Sequence, residues 1–322
     1  MADDFRMEEV AIPSLGANEV LVRAIYLSLD PYMRGRMSDA PSYVEPLAVG
    51  QTMCGQTICR VEQSNDPAFK PGDRVLANTG WQDYAVVPGR ELTKLDPALK
   101  KLSYALGVLG MPGLTAYVGL LDIGQPKPGE TLVVAGATGA VGSIVGQLAK
   151  LKGCRVVGVA GGRGKCEYAV STLGFDGCVD HHDADFPSLL AQSCPQGVDI
   201  YFENVGGAVF EAVLPLLNIH ARVPLCGIVS FYNLKALPTG VDRTALVLRT
   251  LLVRRVKVQG FIIFDHYDRV PDFTRDMTAW FSAGRIVYRE DVMEGLENAP
   301  AGLMGLLRGD NFGKLVVRVS QD

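Results

Sequence analysis

Two short stretches of this 322-residue chain hold residue types whose spacing could do chemistry. The first is residues 131–152, TLVVAGATGAVGSIVGQLAKLK. A β-branched apolar run, Thr131 to Ala135, enters a turn containing Gly136, Gly139 and Gly142, and an amphipathic helix follows at once. Small residues in such a turn let the backbone approach a pyrophosphate, which Gly139, Ala140, Val141 and Gly142 are expected to line. Its charge would then rest on the positive end of the helix. A second apolar run, Cys154 to Val159, completes a strand–helix–strand unit, and that context separates a dinucleotide-binding turn from a bare packing turn.

The second stretch, Val159-Ala-Gly-Gly-Arg-Gly-Lys165, says which dinucleotide. A site for NAD places Asp or Glu about 20 residues past the glycine turn, to accept from the ribose 2′-OH. Here Gly161, Arg163 and Lys165 occupy the position and no carboxylate does. A 2′-phosphate needs the acid removed and cations supplied. Arg163 and Lys165 could also form a plain solvated loop. The loss of the acid favours NADPH over NADH.

No metal chemistry is expected. The seven cysteines (54, 59, 154, 166, 178, 194 and 226) form no Cys-x-x-Cys sets, and the histidines (181, 182, 220 and 266) lie far from Cys54 and Cys59. An odd number of cysteines beside apolar segments reads as reduced thiols rather than a disulfide framework. A net charge of −4 without a basic stripe argues against nucleic acid as a partner. No apolar run reaches the ~18–20 residues of a membrane span. The polar, acidic start (Met-Ala-Asp-Asp-Phe) is unlike a signal peptide. A soluble cytoplasmic enzyme with a small-molecule substrate is expected.

These residues need elements to position them. The first third of the chain reads as β, with strands at Val20–Leu27, Thr57–Glu62, Arg74–Ala77 and Tyr84–Val87 set off by Pro/Gly turns. From about residue 114 the pattern alternates. Strands near 131–135, 154–159, 177–180, 198–202, 222–226 and 257–263 are separated by helices at 140–152, 165–173, 186–194, 207–217 and 243–253, with a further helix at 269–283. This is the pattern of a doubly wound parallel sheet. The tail, 286–322, reads as strand-rich and is expected to rejoin the first module. The expected division is therefore an α/β fold with a β-rich module of residues 1–113 and 287–322 and a cofactor module of residues 114–286.

Five segments occur together in one order: LSLDPYMRGR from Leu27, MPGLTAY from Met111, the glycine turn, Glu203-Asn-Val-Gly-Gly207, and Asn311-Phe-Gly-Lys314. Together they resemble the zinc-independent medium-chain dehydrogenase/reductases of the leukotriene B4 dehydrogenase, prostaglandin reductase and 2-alkenal reductase group. The resemblance covers nearly the whole chain. It implies a GroES-like substrate domain, a Rossmann NADPH domain and a homodimer. Family members carry about two further strands before the segment at Asp4, so the first hairpin of the GroES-like domain is expected to be missing, leaving a sheet edge unpaired. Zinc-using relatives have Gly-His-Glu where this chain has Gly50-Gln51-Thr52, which removes metal ligands.

Oxidising an alcohol without a metal would need a strong base, whereas reducing a polarised C=C does not. The resemblance therefore implies reduction of α,β-unsaturated ketones and aldehydes by NADPH, with hydride added at the β-carbon and the enolate protonated. A quinone reductase of the same superfamily and a non-catalytic NADPH-binding protein are the alternatives. Among residues, the mammalian branch has a tyrosine where this chain has Phe264, while plant and bacterial members have one nearer Tyr267. The Tyr267 phenol could donate to an enolate or only pack against a helix start. Tyr43 is a second candidate, because the family places a substrate-facing tyrosine in that loop. Lys165 matches the family's 2′-phosphate lysine, and His181 stands at a family tyrosine, to stack, donate or remain a surface residue. Asn204 ends the fourth strand of the sheet, where ligands bind, and resembles a ribose or nicotinamide contact. Asn311 matches another cofactor contact, and Met111 and Thr115 are expected to wall the nicotinamide. Arg34 and Arg36 could draw an anionic substrate or pair structurally with Asp30.

Overall fold

The computed structural model describes residues 4–39, 42–234, 236 and 241–322. The chain forms two compact units, one from Met1–Gly110 and Glu290–Asp322, the other from Met111–Arg289.

The first unit is organised around β1 (Glu19–Ser28), whose apolar residues are buried in consecutive runs, as in a strand covered on both faces. β1 pairs antiparallel with β2 (Thr57–Ser64), β4 (Tyr84–Pro88) and β13 (Lys314–Arg318). β3 (Arg74–Ala77) pairs with β2, β5 (Thr93–Lys94) with β3, and β12 (Glu290–Glu294) runs parallel to β13, giving seven strands. Val20, Val22 and Ala24 pack with Val61, Val75 and Ala85. Leu27 and Leu29 pack with Met33, Leu315 and Val317, so the tail completes the core of the first residues.

The tail is not only strand. A helix, α8 (Ala299–Arg308), separates β12 from β13. Pro300 sits in its first turn, where a missing N–H costs nothing, and Gly309 ends it at φ 78°. Leu303 is buried and Leu306 and Leu307 pack beside it. The glycines of this segment hide that 3.6-residue stripe from a reading by composition.

The second unit begins with α1 (Met111–Val118), which starts three residues before the expected 114 and runs on as a π-turn to Gly124. Pro112 is in its first turn, the position a helix tolerates. Then β6 (Thr131–Ala135), α2 (Gly142–Leu151), β7 (Arg155–Ala160), α3 (Arg163–Ser171), β8 (Gly177–Asp180), α4 (Phe186–Ser193), β9 (Val198–Phe202), α5 (Gly207–Val213), β10 (Leu217–Leu225), α6 (Thr244–Arg254), β11 (Lys257–Gly260) and α7 (Val270–Ser282) alternate. The sheet is parallel throughout, in the order β11-β10-β9-β6-β7-β8. This is the doubly wound sheet expected from the alternation. Every residue of β6 is buried, as a strand covered on both faces must be. The chain order reverses between β6 and β9, which makes their carboxyl ends the switch point where ligands bind in such sheets.

Two strands differ from expectation. β10 begins at Leu217 rather than 222, with His220 at φ 64° and a register shift against β9. β11 stops at Gly260, Phe261 and Ile262 follow outside any element, and a 3₁₀ segment over Ile263–Arg269 begins where the expected strand would have ended.

Candidate cofactor and active site

The turn after β6 is held shut by its own backbone. Gly136 lies at φ 66°, the left-handed region glycine enters freely. The Gly139 N–H donates to the Gly136 carbonyl at 2.9 Å. A Cβ placed at Gly142, the first residue of α2, would stand 2.2 Å from that same carbonyl oxygen. Only glycine fits, and its absent side chain lets α2 start against the strand end. Gly139, Ala140 and Val141 stay half-exposed at the N-terminal end of this ten-residue helix, where the dipole favours an anion. These residues fit a dinucleotide phosphate.

Beside this turn, at the end of β9, Asn204 donates its Nδ2 to the Ala135 carbonyl at 2.8 Å. Its loop is anchored by Glu203, which is 1% exposed. Glu203 Oε1 accepts from the backbone N–H groups of Val205 (2.6 Å) and Gly206 (2.8 Å), and Oε2 accepts from the Tyr201 hydroxyl at 2.9 Å. Burial pushes the Glu203 carboxyl up, while those donors pull it back. The carboxylate shapes the loop that presents Asn204.

At the next strand end, Gly162 caps α3 at φ 92°, followed by Arg163 and a half-buried Lys165. The third strand brings an acid here that residues 159–165 do not contain. Asp180 Oδ1 accepts from the backbone N–H of Gly162 (2.9 Å) and of His182 (3.0 Å). The Gly162 N–H, ahead of His182, holds this carboxyl below its usual range. Through this oxygen Asp180 anchors the backbone of Gly162 and His182. Arg163 reaches the Glu167 carboxylate at 2.7 Å on a fully solvated surface. His181 and His182 are exposed, with ring centroids 4.1 Å apart. Both flank Gly161, where a Cβ would meet them at 3.0–3.1 Å. Desolvation, and then His182, lower the His181 imidazole.

Elsewhere in this unit, the Thr115 hydroxyl donates to the Met111 carbonyl at 2.8 Å, so α1 binds that hydroxyl to itself. Tyr267 lies in the 3₁₀ segment, 55% exposed, its ring centroid 5.9 Å from that of Phe264. Partial burial raises its phenol, which keeps it a donor. Arg269 fixes the end of the segment by pairing with Asp122 through Nε (2.9 Å) and Nη2 (3.2 Å), and with Asp272.

In the first unit, Tyr43 is 54% exposed and close enough to Tyr32 to act on its phenol. Burial, ahead of Asp30, Cys54 and Tyr43, raises Tyr32 far out of the physiological range. Asn311 donates Nδ2 to the Gly313 carbonyl at 2.7 Å. The cation on Asp30 comes from Lys314, whose Nζ, on a side chain 1% exposed, donates to Asp30 Oδ1 (2.8 Å) and to the Leu29 carbonyl (2.6 Å).

Residues 1–95 match a family model described as the N-terminal domain of oxidoreductase, and residues 140–282 match one described as zinc-binding dehydrogenase. The chain is 57% identical, over 99% of its length and 93% of the relative's, to the NADPH-dependent curcumin reductase of Escherichia coli K12. It is 43% identical, over 95% of its length and 89% of the relative's, to the NADP(+)-dependent 2-alkenal reductase of Nicotiana tabacum. The crystal structure of CurA with NADPH from Vibrio vulnificus matches with a TM-score of 0.97 at 58% identity, covering 100% of this chain and 96% of that one.

The chain belongs to the medium-chain dehydrogenase/reductase family. Gln51 is exposed and accepts the Ala48 N–H through its side-chain oxygen at 2.9 Å. Among the described residues, no three His, Cys, Asp or Glu side chains group to hold a metal ion.

Three further residues, not singled out by sequence, hold the candidate segments in place. Glu203 and Lys314 stood inside quoted motifs, where a charged residue flanked by apolar strand is a signal of burial with a partner. Asp180 gave no such signal, since only the parallel register of β7 and β8 brings it to Gly162.

Proposed function

We propose that this protein reduces the C=C bond of α,β-unsaturated ketones and aldehydes with NADPH. The likeness to the curcumin and 2-alkenal reductases over almost the whole chain carries the reading. The residues agree with it. Gly139, Ala140, Val141 and Gly142 would hold the pyrophosphate. Lys165, with Arg163, His181 and the bare backbone at Gly161, would hold the 2′-phosphate. Asn204, Met111 and Thr115 would position the ribose and nicotinamide, and Asn311 is proposed as a further cofactor contact.

When bound, NADPH supplies the hydride that the β-carbon receives. The chain must then stabilise negative charge on the carbonyl oxygen of the substrate, and a protonated phenol does this without a metal. Tyr267 is the proposed donor and Tyr43 the second. A phenol raised by partial burial keeps its proton through neutral pH. Tyr267→Phe should lower kcat by roughly 10²-fold, the order of one lost oxyanion donor. Affinity for 2′,5′-ADP should stay unchanged. Full turnover in that variant would transfer the role to Tyr43. Faster turnover of an ortho-quinone than of an enone would favour the quinone reductase reading.

The working form is proposed to be a homodimer in the cytoplasm, with the GroES-like domain as the first unit and the Rossmann domain as the second. β11 is an edge strand, and no residue of neighbouring α6 is buried. Leu246, Leu248, Leu252 and Val253 are all more than half exposed, an apolar face that a second copy would cover. Sedimentation at working concentration tests this, and a monomer would contradict it. Seven free thiols suit a reducing compartment.

A further inference from the structure

Two cysteines that take no part in the proposed reaction touch each other. Cys166 lies early in α3 and Cys178 in β8, elements packed against each other, and the two thiols are close enough to act on one another. Cys178 pairs across the sheet with Gly158 on β7. The missing side chain there makes room for its sulfur, since a Cβ at Gly158 would stand 3.0 Å from Cys178 Sγ. Cys166 is tied to the start of the helix by its N–H to the Gly162 carbonyl at 3.3 Å. Both are half-buried and open to a small oxidant, whereas Cys59, Cys154 and Cys194 are buried.

The pair is asymmetric. The Cys178 thiol, and less strongly the Ala160 N–H, lower Cys166, while the same contact and burial raise Cys178. Cys166 lies near the positive end of α3, which favours a thiolate, so it is assigned as the nucleophile and the strand residue Cys178 as the resolving thiol.

We propose that Cys166 and Cys178 form an oxidisable dithiol that closes to a disulfide with a peroxide, and that closure weakens cofactor binding through α3. The Cys166 sulfur attacks one peroxide oxygen, the O–O bond breaks, and the other oxygen leaves as water, giving a sulfenic acid. The Cys178 sulfur then displaces that oxygen, a second water leaves, and the S–S bond forms. Two thiols are oxidised by two electrons and one peroxide is reduced to two waters. The S–S bond, about 2.05 Å, is much shorter than a thiol–thiol hydrogen bond. Closure therefore pulls the first turns of α3, with Arg163 and Lys165, toward β8. The effect on the cofactor rests on the proposed 2′-phosphate role of those cations; the disulfide does not.

The test is hydrogen peroxide added to the reduced full-length protein, followed by alkylation and peptide mapping without reductant. The expected result is a peptide crosslinked through Cys166 and Cys178 that dithiothreitol releases. Cys178→Ser should leave a dimedone-reactive sulfenic acid on Cys166, and Cys166→Ser should leave position 178 unoxidised. Two alkylatable thiols after peroxide treatment, or a Cys166 sulfenic acid persisting beside a free Cys178, would overturn the site. By calorimetry, 2′,5′-ADP should bind the oxidised protein roughly tenfold more weakly, the order of one charged hydrogen bond. Equal affinity of both forms would overturn the coupling alone. Failure of 2′,5′-ADP to bind the reduced protein would overturn the 2′-phosphate reading and leave the disulfide standing.

Discussion

The two units hold their functional segments by opposite means. In the second unit the phosphate turn is fixed by what is missing: Gly142 has no side chain to strike the Gly136 carbonyl, and the backbone closes on itself within a few residues. In the first unit the segment after β1 is fixed by what is added. A buried Lys314 arrives from the far end of the chain to neutralise Asp30 and to occupy the Leu29 carbonyl. A site built from local backbone is written in consecutive residues. A site built on a long-range ion pair is visible only once the sheet has brought β13 beside β1.

The largest effect should come from the ion pair. Lys314→Met strands Asp30 as a buried charge and should destabilise the first unit by ~3–5 kcal/mol. Lys314→Met combined with Asp30→Asn should recover much of that loss, and thermal melts of the three variants measure it. If the single variant melts like the parent protein, the pair does not hold this segment.

Next is the turn. Gly142→Ala places a methyl where the Gly136 oxygen stands and should cost ~1–3 kcal/mol, as overpacking does. The loss should appear as weaker NADPH and NADH binding alike, because both share the pyrophosphate. A loss confined to NADPH would detach this turn from the pyrophosphate.

Lys165→Ala should discriminate between the cofactors. Removing one charge-assisted phosphate contact should weaken NADPH by ~1.5–3 kcal/mol and spare NADH. Arg163→Ala should do less, under about 1 kcal/mol, because that guanidinium is solvated and already held by Glu167. Titrations with both cofactors rank the two cations, and a larger loss at Arg163 would reverse their roles.

The same contrast explains what could be read in advance. The strands from β6 to β9 and the helices between them follow from apolar runs and local turn residues, so the doubly wound sheet was legible in the sequence. The helix α8 was not, because Pro300, Gly302 and Gly305 mask the stripe of Leu303, Leu306 and Leu307 whose burial decides it. Among the candidate residues, the glycines and Lys165 are those that spacing alone singles out. Asp180 is not among them, since its hydrogen bond to Gly162 depends on the β7–β8 register. Glu203 also needed the fold, because a carboxylate in an apolar strand gains its meaning from the N–H groups that meet it.

The central claim is metal-independent reduction of an activated C=C bond, and one measurement tests it most directly. Protein dialysed against a strong chelator is given NADPH with an enone and, separately, with the matching saturated ketone, and the products are identified. The account predicts that the enone becomes the saturated ketone, with one NADPH oxidised per molecule, and that the saturated ketone is left unchanged. An allylic alcohol from the enone, or faster consumption of the saturated ketone, would contradict it.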